Sequence, residues 1–89
     1  MRIRTARDLG ALIRDRRTTI GWSQQDLADH CGASKRWVVA VEAGKAGAEV
    51  GIVLRALSAL EIELTAGPAH TGGAAVLDAL LDGLDTDRP

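Results

Sequence analysis

Residues 20–45 read Ile-Gly-Trp-Ser-Gln-Gln-Asp-Leu-Ala-Asp-His-Cys-Gly-Ala-Ser-Lys-Arg-Trp-Val-Val-Ala-Val-Glu-Ala-Gly-Lys, and three glycines cut this stretch into two short helical segments. Ser23 is placed to cap the first. Its hydroxyl can accept from the backbone three residues on, Asp26 can return the bond, and Trp22 can staple onto Leu27. The segment runs from about Gln24 to Cys31 and stops at Gly32, which takes a left-handed backbone conformation without steric cost. Ser34 offers the next cap, ahead of Lys35-Arg36-Trp37-Val38-Val39-Ala40-Val41-Glu42-Ala43, and Gly44 ends that run. Two short helices joined by about three residues of turn make a helix-turn-helix.

Outward from this pair the pattern stays helical. Thr5 is an N-cap with Asp8 three residues on, and Leu9, Leu12, Ile13 and Arg16 follow at helical spacing until Gly21. After the Lys45-Ala46-Gly47 loop, Val50, Val53, Leu54, Leu57 and Leu60 recur at steps of three and four, which predicts a fourth amphipathic helix. The period then shortens to two: Leu60, Ile62 and Leu64 alternate with Glu61 and Glu63, the pattern of a half-buried strand. A lone strand needs a partner, and the chain holds no second strand pattern, so Ile62 and Leu64 are expected at a homodimer interface where the strand pairs with its copy. Residues 65–75 read as a flexible linker. Beyond them Val76, Leu77, Leu80, Leu81 and Leu84 share a face opposite Asp78, Asp82 and Asp85. The division is therefore 1–64, a helix-turn-helix and dimerisation domain, and 65–89, a linker with an acidic tail.

Composition narrows the class. In 89 residues only one modest core can form, and with 46% hydrophobic but 2% aromatic residues it must be filled by Leu, Ile, Val and Ala. No stretch approaches the roughly 20 apolar residues of a membrane span, and the Met-Arg-Ile-Arg-Thr start lacks the apolar run of a signal peptide, so a cytoplasmic protein is expected. The net charge of −1 conceals an asymmetry: residues 1–60 carry 10 Lys/Arg against 6 Asp/Glu, and residues 61–89 carry 1 against 6. A basic front implies a polyanionic partner, and the acidic extension a different one. Enzymatic chemistry lacks its raw material. His30, His70 and the single cysteine, Cys31, have no ligand-like spacing, and neighbours on a helix point about 100° apart. Neither a metal nor another cofactor is expected, and Cys31 reads as a small buried hydrophobe.

The 20–45 segment, with Ala28, Gly32 and Val38 at the spacing of a helix crossing, a tight turn and a core anchor, resembles the lambda-repressor-like, XRE-type helix-turn-helix family over roughly residues 9–64. The start Ala-Ser-Lys-Arg-Trp-Val, the Glu-Ala-Gly-Lys that follows and the later Val-Leu-Arg-Ala-Leu-Ser-Ala-Leu-Glu-Ile-Glu-Leu look like HipB-type antitoxins. The resemblance implies a mainly α bundle of four to five helices with a short C-terminal strand. It also implies that the second motif helix lies in the major groove with its first turn against base edges, which assigns Ser34, Lys35, Arg36 and Val39 as readers. Lys and Arg can donate to guanine O6 and N7, and a valine methyl can touch that of thymine. Gln24 matches the family position that meets a phosphate, and Arg16, Arg17 and Lys45 are further phosphate contacts. Val38 and Val41 should face inward with Leu27, Ala28 and Leu54, while Trp37 is left between packing at the core edge, which is favoured, and leaning on sugar-phosphate. Two positions depart from the family pattern: Glu61 stands where glycine or asparagine often ends the fourth helix, and Val39 replaces a commonly polar reader.

The function implied is that of an operator-binding repressor which, as a HipB-type antitoxin, also holds a HipA-like serine/threonine kinase toxin, with the acidic tail a contact for a basic groove. Two other readings stay open. One is a stand-alone XRE-type regulator without a toxin; the other is a protein-interaction module that no longer reads DNA and would lack salt-dependent binding to its promoter.

Overall fold

Thr5, Ser23 and Ser34 each cap a helix. In the computed structural model, which describes residues 2–68, these caps open α1 (Ala6–Thr19), α2 (Gln24–Cys31) and α3 (Lys35–Glu42); α4 (Val50–Ala59) follows Glu49, which makes no side-chain cap bond. At the first two caps the bond is reciprocal. The Thr5 and Ser23 hydroxyls accept from the backbone N–H of Asp8 and Asp26, and those carboxylates accept in return from the capping residues' own N–H. The Ser23 N–H, 2.8 Å from Asp26 Oδ2, draws that carboxyl below its ordinary range.

The four helices end alike. A left-handed residue follows each helix, directly at Gly32 and one residue further on at Gly21, Gly44 and Glu61, and the next N–H returns to a carbonyl five residues back: Trp22 to Arg17, Ala33 to Ala28, Lys45 to Ala40, Ile62 to Leu57. These bonds satisfy carbonyls that a helix end would leave open. At Gly32 the turn depends on glycine, because φ is 68° and the chain must enter Ser34 one residue after Ala33. Glu61 makes the same turn at φ 58° with a β-carbon that disfavours it.

Packing joins α1 to α3, and α2 to both α3 and α4. The core consists of Ile13, Leu27, Ala28, Cys31, Val38, Val41, Val53, Ala56, Leu57 and Leu60, aliphatic throughout apart from the thiol. Burial pushes the Cys31 thiol up, away from the reactive thiolate. Gly10 sets the α1–α3 distance: a β-carbon there would collide with the carbonyl oxygens of Val41 and Glu42. Across the same contact Arg17, 8% exposed, grips Glu42 with both ends of its guanidinium, Nε to Oε2 at 2.6 Å and Nη2 to Oε1 at 3.0 Å. Its Nη1 donates to the Trp22 carbonyl at 2.8 Å, and the Gln24 amide donates to Glu42 at 3.2 Å. One ion pair thus ties α1, the entry to α2, and α3 together.

One core expectation needs correcting. Leu54 was expected in the core but is 49% exposed, as is Val50 more fully. The buried line of α4 runs through Val53, Ala56, Leu57 and Leu60, so its apolar arc is wider than the part its neighbours cover. The short strand expected over Leu60 to Leu64, paired with a second copy, is not formed within the single chain among the described residues. The alternation of Leu60, Ile62 and Leu64 begins as the end of α4: Leu60 is buried, Glu61 turns left-handed, and Ile62 folds back onto the core. An apolar residue after a left-handed cap is what this helix ending favours, and it mimics a period of two. Trp22, half-buried against the core that holds Leu27, also stacks on the His30 imidazole, with centroids 4.0 Å apart and planes inclined by 18°. Residues 65–68 are exposed and without regular structure, while the rest of the expected linker and the amphipathic stretch Val76 to Leu84 lie outside the described residues.

Removing one member of the Arg17–Glu42 pair should cost about 3–5 kcal/mol, because the other charge is left buried and unpaired. Glu42→Leu and Arg17→Leu are each expected to lower stability by that amount in urea unfolding, and the double variant to recover a large part of the loss in a thermodynamic cycle. At the end of α4 the sign reverses. Glu61→Gly relieves the left-handed strain at the cost of a more flexible unfolded chain, and should raise stability by about 0.5–1 kcal/mol, a few degrees in melting temperature. A fall on calorimetry would show that the exposed Arg16–Glu61 pair, 3.7 Å apart, matters more than the backbone.

Candidate nucleic-acid interface

The turn Gly32-Ala33-Ser34 sets the rotation of α3, and that rotation divides its eight residues into two faces. Ser34 accepts from the Trp37 N–H at 3.0 Å, starting the helix at Lys35. Val38 and Val41 are then buried against the core. With 3.6 residues per turn, Lys35, Arg36, Val39 and Ala43 are left facing away from it, and all four are exposed, Val39 by 44%. Lys35 and Arg36 make no ion pair among the described residues. Cations in the first turn of a helix oppose its dipole, so stability does not account for them.

The expected phosphate contacts separate into two groups. Lys45, exposed in the loop after α3, is unpaired among the described residues. Arg17 is the clear correction: its guanidinium is buried and fully engaged with Glu42 and Trp22, and its hydrogen bonds to the Glu42 carboxylate push the guanidinium's pKa up. Its role is structural. Gln24 and Arg16 are partly engaged as well. The Gln24 amide holds Glu42, and Arg16 Nε donates to the Leu60 carbonyl at 2.8 Å, next to its pairing with Glu61. An arginine at the carbonyl end of α4 also complements that helix's dipole.

Two concavities flank the outward face of α3. One, of about 340 Å³, is bounded by Arg36, Trp37 and Ala40 on α3 and by Lys45, Gly47 and Ile52 across the loop. Trp37 is half-buried against the core, the core-edge position expected of it, and its Nε1 is buried with no hydrogen-bond partner among the described residues. The other, of about 430 Å³, is lined by Arg14, Arg17, Gln24, Val39, Glu42 and Ala43. Glu42 and Arg14 were not singled out in the sequence. A glutamate at the end of a valine-rich helix has no visible partner until α1 is folded over it. The available signal was that Arg14 precedes Arg17 by three residues and so shares a side of α1.

Comparison with known proteins places this geometry. A family model described as a helix-turn-helix domain matches residues 8–66. The uncharacterized HTH-type transcriptional regulator y4mF of Sinorhizobium fredii is 42% identical over 59 residues, which is 66% of this chain and 78% of that protein. Among solved structures, HipB in a HipB–O4 20mer complex superposes with a TM-score of 0.71 at 21% identity, covering 79% of this chain and 99% of that one. A chain of a HipA–HipB–O2–O3 complex does so with the same score at 20% identity and the same coverage. The expected resemblance to HipB therefore holds at the level of the fold. Caps, turn, buried valines and matched sequence agree that the chain belongs to the helix-turn-helix domain family.

Proposed function

We propose that this protein is a sequence-specific DNA-binding transcriptional repressor that acts as the antitoxin of a HipA/HipB-type toxin–antitoxin pair, binding its operator as a homodimer and holding the toxin kinase. The observation that carries the DNA-binding part is the outward face of α3. Lys35 and Arg36 stand exposed in its first turn beside Val39, in no ion pair among the described residues, on a helix whose opposite side is locked into the core. A helix about 10–12 Å across fits the major groove, and its first turn is the part that meets base edges. Support for a regulatory role comes from the 42% identical relative, named a transcriptional regulator. Support for the antitoxin reading is the fold shared with chains of the HipB–O4 20mer and HipA–HipB–O2–O3 complexes. For the homodimer, Leu64 offers an apolar side chain 57% exposed, next to the half-buried Ile62. A stand-alone regulator is favoured by the plain regulatory name of that relative. Co-expression with kinase-like reading frames adjoining the gene separates the two: stable co-purification supports the antitoxin, and its absence the stand-alone form.

Arg36→Ala should weaken binding to the protein's own promoter by between about fivefold and a hundredfold, the range for losing an arginine–guanine contact. Fluorescence anisotropy gives the affinity, and an unchanged melting temperature shows that the fold is intact. Equal loss of folding would make Arg36 structural. Leu64→Asp should shift the protein from dimer to monomer in sedimentation equilibrium; a variant that stays dimeric removes Leu64 from the interface.

A further inference from the structure

Accepting that α3 enters a major groove, the side chains on its flanks meet the two sugar-phosphate strands that border that groove, about 12 Å apart. Lys45 stands on one flank, beside the concavity formed with the loop before α4. The other flank is the concavity shared by Arg14, Gln24, Val39 and Ala43. Around α3 the two are well separated. Val39, Glu42 and Ala43 line the second and Trp37 and Ala40 the first, and at 100° per residue their mean directions lie well over a quarter-turn apart, with Arg36 between them.

The floor of the second concavity is electrically spent. Arg17 and Glu42 neutralise one another, and the Gln24 amide is turned to Glu42. The cation left over is Arg14, exposed on α1 and in no ion pair among the described residues. We propose that Arg14, contributed by α1 from outside the helix-turn-helix, holds a DNA backbone phosphate at this concavity, so that Arg14 and Lys45 grip the two strands on either side of α3. Arginine suits the role because its fork can donate two hydrogen bonds to one phosphate. A contact of this kind positions α3 and carries no sequence information itself. It assigns to α1 a part in DNA binding in place of the one Arg17 cannot play.

The test is the salt dependence of binding by the full-length chain to its promoter fragment and to a scrambled duplex of equal length. Each phosphate neutralised contributes about 0.9 to the slope of log K against log salt. Arg14→Gln is expected to lower that slope by about one for each protomer bound and to weaken both duplexes alike, while Arg14→Lys keeps most of the slope. Melting temperature should not move in either variant, since Arg14 is exposed. If the unaltered protein binds its promoter with a steep slope and Arg14→Gln leaves slope and affinity unchanged, Arg14 touches no phosphate and the repressor reading survives. A loss confined to the promoter fragment would make Arg14 a reader of bases and overturn the proposal. Absence of salt-dependent binding by the unaltered protein would overturn the DNA-binding reading and this inference with it.

Discussion

Arg17 and Glu42 are the two charged groups most removed from water in the described chain, and the position of α3 follows from their meeting. Desolvating two charges offsets much of what their attraction returns, so a buried pair is a poor source of net stability. Stability comes from the aliphatic core. What the pair supplies is direction: a planar guanidinium held by both oxygens of Glu42 and by the Trp22 carbonyl admits little rotation. Many packings could bury Ile13, Leu27 and Val38 about equally well. Far fewer bring the end of α3, the middle of α1 and the entry to α2 to one point, and the pair selects among them.

Helices of eight residues are too short to persist alone in water, so α2 and α3 exist because their surroundings hold them. Capping boxes and left-handed endings satisfy the backbone at their ends, and buried residues hold one side. The other side of α3 is then released from any structural duty. Lys35, Arg36 and Val39 can differ between relatives without a consequence for the core, which suits a surface meant to recognise.

The helix-turn-helix itself was legible because its signals are local. Ser23, Asp26, Gly32 and Ser34 specify starts and stops within a few residues of themselves, and α2 and α3 fall where those signals put them. The rank of buried and exposed residues on α3 followed from helical period alone. Features that depend on residues distant in the chain were not legible. Glu42 and Arg17 are 25 positions apart, and either reads as a surface charge until its partner is known. Gly10 looks like a weak point in a helix, yet it is where the backbone of α3 comes closest. The period of α4 allowed two adjacent arcs, and choosing Val53 and Ala56 over Leu54 requires the position of α2. The period of two after Leu60 has a second source besides a strand: a left-handed turn at a glutamate produces the same alternation, and only the backbone angle reveals it.

The link from α2 to α3 has no slack. Gly32 supplies the turn, the Ala33 N–H closes the end of one helix, and Ser34 opens the next. One residue gained or lost there would swing Lys35, Arg36 and Val39 about 100° around the axis, turning that exposed face toward the core or the flank. If that face reads DNA as proposed, its specificity can drift by exchange of side chains but not by change of length, and chains with quite different DNA preferences should still align here without a gap.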